Sequence, residues 1–222
     1  MKILAVEFSS AQRSVAVIDS NAVTNPRVLG AASDLTRQTA SLSLVEKVLR
    51  ESRIEREQIE AIAVGIGPGS YNGIRAAIAL AQGWQLAAGK IKLLGVSSAE
   101  CLARVAQCKK HFGRIRAIID AQRNEVYSAI YEITAAELGE LKPLRISSIG
   151  EIQEGAQTGG TIVGPEVKRW FEEGIELFPD AAVLGEIAAS RGDFIPGEKL
   201  EPIYLRESSF VKAPPPRVVH GL

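Results

Sequence analysis

A glycine-rich loop between a short apolar run and a long apolar helix is the segment of this sequence best suited to bind a charged group. The loop reads GIGPGSYNGIR over residues 65–75. Backbone N–H groups in such a loop, together with the start of the following helix, can bind a phosphate. The spacing matches neither the Walker A motif nor the dinucleotide-binding fingerprint. The loop therefore predicts either a nucleotide-binding site at Gly67, Gly69 and Ser70, or a tight turn that lets the helix approach the strand closely.

Two acidic residues stand at the ends of apolar strands, where a carboxylate could act near a bound phosphate. Glu7 ends the run ILAVE and Asp120 ends the run AIID. Actin-like phosphotransferases carry an Asp at the first of these places, and Glu is one methylene longer, a shift that catalytic geometry tolerates poorly. We therefore favour the interpretation that both acids cap or pair locally at strand ends. Ser70 is likewise predicted to cap the helix that follows the glycine loop.

The residue types present do not predict a metal site or a hydrolytic nucleophile. His111 and His220 are the only histidines, and no HxxxH, HExxH or Cys/His cluster occurs. Ser70 has no histidine in reach as a base, so no catalytic residue is assigned. Cys101 and Cys108 lie seven apart in a predicted helix, about 10 Å from each other, and are interpreted as reduced core residues.

Composition narrows the class of protein further. The 222 residues include 26 basic and 26 acidic side chains. Proteins that bind nucleic acid unaided usually carry a basic surplus, which this chain lacks. The start of the chain does not read as a secretory signal, and no apolar run is long enough to span a membrane. These features predict a cytoplasmic protein without a cofactor of its own.

The order of predicted elements suggests a duplicated unit. The first half consists of a three-strand meander, a helix over 39–52, a strand over 61–65, the glycine loop and a helix ending near 89. A strand over 93–96 follows, and Ser97 is expected to cap the next helix. In the second half, residues 116–132 resemble residues 3–19, and 161–166 resemble 63–68, with a helix expected over 167–171. The sequence thus predicts an α/β, actin-like (ASKHA, ribonuclease H-like) duplicated two-domain fold with mixed sheets. The expected domains are 1–97 and 98–208, followed by a mobile tail over 209–222.

Two helices of the first half carry more apolar surface than one sheet can cover. Between residues 74 and 88 the only charged residue is Arg75, and the helix over 39–52 has two apolar rows. Since a helix that is apolar on all sides must be covered on all sides, the second domain or a partner subunit has to supply the remaining cover. We favour a partner, because Gly83 and several alanines allow close helix-on-helix docking.

Five segments in this order resemble the TsaB (YeaZ) family, the dimerisation subunits of the bacterial tRNA threonylcarbamoyladenosine complex. They are ILAVEFSS, AVGIGPGSYNGIRAAIALAQG, LLGVSSAE, AIIDAQRNEVYSAIYE and PIYLRESSFVKAPP. The resemblance implies a subunit without catalytic activity that pairs with the catalytic TsaD subunit and with TsaE, a P-loop ATPase. It implies a homodimer when the chain is alone, indirect contact with tRNA, and ATP or ADP only at the junction of the complex. The interface residues that it implies are Leu42, Val45, Leu49, Ile74, Arg75, Ile78 and Ala81.

The chain departs from the family pattern at positions near the predicted site. The family usually has Asp-Thr-Ser where this chain has Glu7, Phe8 and Ser9, and commonly has Arg in place of Ile66. Two other functions stay open at this point. One is an actin-like ATPase or small-molecule phosphotransferase that uses Glu7 and the glycine loop. The other is a peptidase, after an old naming of the wider family as glycoproteases.

Overall fold

A computed structural model describes residues 1–21, 26–35, 41–156 and 160–206. Residues 39–40, where the first helix was expected to begin, and the expected tail over 209–222 lie outside these ranges. The first half contains β1 Lys2–Glu7, β2 Arg13–Asp19, β3 Arg27–Asp34, α1 Ser41–Ser52, β4 Ala61–Gly65, α2 Tyr71–Ala88 and β5 Lys92–Val96. The second contains α3 Ser98–Cys108, β6 Gly113–Asp120, β7 Glu125–Ile133, β8 Leu138–Ser148, α4 Ile149–Ala156, β9 Thr161–Gly164, β10 Ile175–Glu176 and α5 Ala181–Ser190.

The two halves form two five-stranded sheets of the same topology. The strand order is β3-β2-β1-β4-β5 in the first sheet and β8-β7-β6-β9-β10 in the second. In each sheet the first three strands of the unit pair antiparallel, and the last two join in parallel. This repeated order is that of the actin-like, ribonuclease H-like fold, so the fold class expected from the sequence is confirmed.

Helices cover both faces of the first sheet. Leu4, Val6 and Phe8 of the β1 segment pack toward α1 and α2 in one core cluster. Ile3 and Ala5 face the opposite way and pack in a second cluster with α5. Because both faces of β1 are covered, nearly every residue of the strand is buried, as expected for a central strand in a mixed sheet.

The chain returns to the first sheet after it has completed the second. Helix α5 packs on the first sheet, and Ile195 N–H donates to Leu93 O at 2.8 Å. Ile203 N–H donates to Ile66 O at 2.9 Å, so the segment that follows α5 also lies against the first unit. The expected second domain of 98–208 therefore needs correction, because residues from 181 onward contribute largely to the first core. Helix α3, which begins the second half, packs on the second sheet, while its Cys101 lies in the core that the first sheet forms with α5.

Three local expectations also need correction. The helix expected over 167–171 is a short 3-10 turn, Val167–Arg169. Ser97 occupies the N-cap position of α3, but its side chain makes no capping hydrogen bond, and Glu100 pairs instead with Arg191 at 3.3 Å. Cys101 is buried as expected, whereas Cys108 is exposed because it lies at the end of α3, beyond the cover of the core.

Candidate functional site

The glycine loop packs directly on the turn that follows β1. Gly69 has a φ of +146°, and a Cβ built there would lie 2.1 Å from Ser9 O. A Cβ on Gly73, in the first turn of α2, would lie 1.9 Å from Phe8 O. Ser70 N–H donates to Ser9 O at 2.7 Å. These contacts support the tight-turn interpretation, because the glycines are needed for close approach whether or not a ligand binds.

Ser70 caps α2 as the sequence predicted. Its hydroxyl oxygen accepts a hydrogen bond from Gly73 N–H at 3.3 Å. The opposite end of the same helix closes on Gly89, whose φ of +68° is typical of a left-handed C-cap. The prediction that Ser70 has a structural role is confirmed.

Glu7 is completely buried, and its carboxylate accepts one hydrogen bond from its own turn and one from a residue distant in the chain. Its carboxylate accepts from Ser9 N–H at 2.6 Å and from the Ser98 hydroxyl at 3.2 Å. A Cβ on Gly65 would lie 1.9 Å from Glu7 Oε2, so this glycine leaves the space that the carboxylate fills. Burial raises the pKa of Glu7, and the hydrogen bonds from Ser9 and Ser98 partly oppose this effect. Glu7 thus pairs locally with Ser9, as interpreted from the sequence, and it also joins the end of β1 to Ser98, the first residue of α3, through a contact between segments distant in the chain.

The raised pKa of Glu7 predicts a pH-dependent effect on stability. Above its ordinary pKa of 4.5, the unfolded chain loses this proton before the folded chain does, so Glu7 opposes folding increasingly as the pH rises through that window. Glu7→Gln removes the titration, and its stability should therefore improve relative to wild type as the pH rises above 4.5 toward the raised pKa of the folded state. Urea unfolding of both proteins across this range measures the difference. A difference that stays constant with pH would show that Glu7 titrates normally in the folded protein.

A cleft of about 490 Å³ opens between the ends of β1 and β6. Ser9, Gly69 and Ser70 line it from the first unit, whereas Gly67 and Glu7 are not among its lining residues. Of the three residues proposed for nucleotide binding, two thus face this cleft. Glu7 stands where actin-like phosphotransferases carry their acid, and it does not line the cleft.

Asp120 lies at the second wall of the cleft and is also held by local contacts. Its carboxylate accepts from Gln122 N–H at 2.7 Å and pairs with Arg169 at 3.6 Å. The turn beyond it has three successive residues at positive φ, from Gln122 to Asn124. Arg206 fixes this turn by donating to Ala121 O at 2.9 Å. The local interpretation of Asp120 is supported, and the cleft walls are tied together by the returning C-terminal segment.

The predicted interface residues separate into a buried and an exposed set. Five of them belong to the first core and need correction as surface candidates: Val45, Leu49, Ile74, Ile78 and Ala81. Both apolar rows of α1 except Leu42, and the inner row of α2, pack within the first unit itself. Leu42, 64% exposed, and Arg75 are the predicted interface residues that reach the surface. Leu49→Lys or Ile78→Lys would therefore test folding rather than association.

A different row of α2 carries the unshielded apolar surface. We call it the outer face of α2, and its exposed residues are Ala76, Ala79, Gly83, Leu86 and Ala87. Leu86 is 87% exposed, and a Cβ on Gly83 would meet no atom within 4 Å. No charged residue occurs between Arg75 and Lys90. Beside this face, Leu42 and Trp84 line a groove of about 520 Å³ between α1 and α2.

Neither a metal cluster nor a membrane-spanning helix occurs among the residues that the structure describes. Within those ranges, no three His, Cys, Asp or Glu side chains come together as a metal site. No helix in the same ranges has the length and apolarity that crossing a bilayer requires.

Comparisons with known proteins agree with one another. The family model described as TsaD, tRNA N6-adenosine threonylcarbamoyltransferase, matches residues 36–190. The chain is 30% identical over 225 aligned residues to the tRNA threonylcarbamoyladenosine biosynthesis protein TsaB of Escherichia coli (strain K12), covering 94% of this chain and 96% of that protein. TsaB of Bacillus subtilis (strain 168) is 29% identical over 146 residues, 64% of this chain and 60% of that protein.

A solved structure shows the same fold over nearly the whole chain. YeaZ from Pseudomonas aeruginosa superimposes with a TM-score of 0.75 at 25% identity, and the match covers 92% of this chain and 99% of that one. Together with the identity to TsaB over almost the full length of both proteins, this establishes the relationship. The chain belongs to the TsaB (YeaZ) family.

Proposed function

We propose that this chain is the accessory subunit of a complex that makes tRNA threonylcarbamoyladenosine, and that it acts by binding a TsaD-type catalytic subunit. The names of its relatives place them in the biosynthesis of this modified nucleoside. We further propose that the chain lies in the cytoplasm, that it forms a homodimer when alone, and that it binds a TsaE-type ATPase as a second partner. We assign the chain no catalytic step of its own.

The outer face of α2 is the observation that carries the proposed role in association. An exposed helix normally has charged residues on its solvent side, and beyond Arg75 this one exposes alanine, glycine and leucine instead. Small side chains let a second helix approach closely, and the groove beside this face adds the apolar side chains of Leu42 and Trp84 together with the charged Glu46, Arg56 and Glu57. We infer that this surface is covered by a helix pair of the partner, either the catalytic subunit or a second copy of the chain.

The burial of Glu7 supports an accessory rather than a catalytic role. A phosphotransferase of this fold needs a carboxylate directed at the bound phosphate, and Glu7 is instead enclosed by Ser9 and Ser98. Bringing it into the cleft would break both hydrogen bonds and leave a cavity beside Gly65. For this reason we do not adopt the alternative of an ATPase or phosphotransferase.

Co-expression with the TsaD-type subunit of the same organism tests the proposed function. We expect the two chains to co-elute as a complex from size-exclusion chromatography. With the TsaE-type protein, ATP and threonylcarbamoyl-adenylate as the group donor added, they should form threonylcarbamoyladenosine in a tRNA transcript, measured by nucleoside mass spectrometry, and little product should form when this chain is omitted. Failure to co-elute at micromolar concentration would contradict the proposal. Product formed by this chain without the TsaD-type subunit would contradict its non-catalytic role.

A further inference from the structure

Three exposed basic residues flank one exposed aromatic residue in the sequence of the turn between α3 and β6. The sequence there is KKHFGR over residues 109–114, and we call it the basic turn. Lys109, Lys110 and Arg114 are exposed, and Phe112 is 48% exposed. None of the three cations makes an ion pair or a side-chain hydrogen bond with any residue that the structure describes.

The backbone holds these side chains in a fixed turn. Lys109 N–H donates to Val105 O at 3.0 Å, and His111 N–H donates to Ala106 O at 2.9 Å. Lys110 has a φ of +62°, which reverses the chain so that it can enter β6. Because the turn is already ordered, ordering it on binding a ligand takes little conformational entropy.

Helix electrostatics explain only part of this group. Cations at the C-terminus of a helix stabilise it, and this accounts for Lys109 and Lys110. It accounts neither for Arg114, which lies on β6, nor for the exposed ring of Phe112. Glu132, directly across from Arg114 in the β6–β7 ladder, is the facing acid, and no ion pair joins the two. The free cations therefore remain available to an external anion.

We propose that the basic turn binds tRNA directly, with phosphates at the three cations and an unstacked base on Phe112. The inference rests on the proposed function, which brings tRNA to the complex. RNA backbones offer closely spaced phosphates, and loops offer bases that stack on aromatic rings. An anionic membrane would call for more than a single exposed apolar anchor. The neutral charge of the whole chain does not oppose this contact, because the cations are concentrated in six residues.

The position of the basic turn suits a contact that is separate from the subunit interface. It lies at the start of β6, whereas the cleft lies at the end of that strand, roughly 25 Å away for eight residues in extended conformation. The outer face of α2 belongs to the first sheet, and the basic turn belongs to the second. A complex formed through α2 can therefore present the basic turn to RNA.

Salt-dependent binding of a tRNA transcript to the complex with the TsaD-type subunit tests this proposal. The variant with Lys109→Gln, Lys110→Gln and Arg114→Gln should bind more weakly and with a shallower dependence on salt. Each lost phosphate contact lowers the slope of log K against log salt by about 0.7–0.9. Between 50 and 200 mM salt, the wild-type complex should lose about 20–40-fold more affinity than the variant. Arg114→Gln alone should lower the slope by about 1.

Phe112→Ala distinguishes the contribution of base stacking to tRNA binding from the contribution of the charged side chains. Loss of one stacked base should weaken binding by about 5–150-fold and leave the salt slope unchanged. The matched control neutralises Lys142, Lys168 and Lys199, which are exposed cations elsewhere on the molecule, and should leave the slope as in wild type. Thermal unfolding confirms that each variant is folded.

The outcomes separate this inference from the proposed function. If the complex forms and the triple variant keeps the wild-type slope, direct tRNA binding by the basic turn is wrong. If the complex binds phosphatidylserine vesicles through these residues and tRNA without them, the ligand is a membrane and the proposal is likewise wrong. If no complex forms, the proposed function fails, and the same titration of the chain alone still tests the basic turn.

Discussion

Gly83→Arg is expected to abolish association with the TsaD-type subunit while leaving the protomer folded. Gly83 lies in the middle of the outer face of α2, and its missing Cβ faces open space. An arginine there places a long, charged side chain where a partner helix would have to pack. Enclosing an unpaired charge in such a contact opposes binding by about 3–5 kcal/mol, which is more than a 100-fold loss of affinity.

The same substitution should make the protomer slightly more stable. Glycine within a helix is about 0.8–1.0 kcal/mol less favourable than good helix formers, and arginine is one of these. The variant should therefore unfold at an equal or higher urea concentration than wild type while it elutes alone. This combination separates loss of an interface from loss of the fold.

Gly150→Arg supplies the matched control for Gly83→Arg. Gly150 lies in the exposed α4 of the second unit, and its Cβ would also meet no atom within 4 Å. The same change of charge and volume there should leave co-elution with the TsaD-type subunit intact. Wild-type affinity of the Gly83→Arg variant would show that the outer face of α2 is not the docking surface.

Gly73→Ala is expected to destabilise the fold strongly although it adds one methyl group. The new Cβ would lie 1.9 Å from the backbone oxygen of Phe8, far inside van der Waals contact. Neither α2 nor the end of β1 can move freely, since Ser70 N–H is hydrogen-bonded to Ser9 O and a Cβ built on the loop residue Gly69 would lie only 2.1 Å from that same oxygen. We expect a loss of about 3 kcal/mol or more in the free energy of unfolding, or about 6–12 °C in Tm for a chain of this length.

Gly83→Ala, in the same helix, is the control for Gly73→Ala. There the added methyl group meets open space, so only helix propensity changes, and stability should rise by about 1 kcal/mol. Urea denaturation of both variants measures the change in the free energy of unfolding, which should be negative for Gly73→Ala and positive for Gly83→Ala. A Gly73→Ala variant within 0.5 kcal/mol of wild type would contradict the close packing of α2 on the turn after β1.

The glycine loop shows which structural features a local sequence pattern can predict. An apolar run, a loop with two glycines and a serine, and a long apolar helix predicted β4, the turn and α2 with nearly correct bounds. The cap at Ser70 followed from residue type alone, because capping is decided within one turn of helix. The clash that makes Gly73 necessary could not be predicted, since it involves Phe8, which is distant in the chain.

The interface residues show where such patterns fail. The sequence of α2 indicates an apolar helix on all sides and thus surplus apolar surface, but it does not state which row faces the sheet. Ile74, Ile78 and Ala81 turned out to face inward, and the surplus lies on Ala79, Gly83 and their neighbours. The outer row has small residues in place of the charges expected on a solvent-facing row. This was the signal that could have distinguished the outer row from the row that faces the sheet.

The sequence by itself determined the two repeated units, the elements of the first half and the family, because strand and helix periods and capping depend on residues close in the chain. Only the tertiary structure decided that Glu7 is enclosed beside Ser98, that α5 returns to cover the first sheet, and that the cations of the basic turn form no ion pair with the residues that the structure describes. These features depend on which distant segments pack against each other. That choice is made by the burial of the whole core rather than by any local pattern.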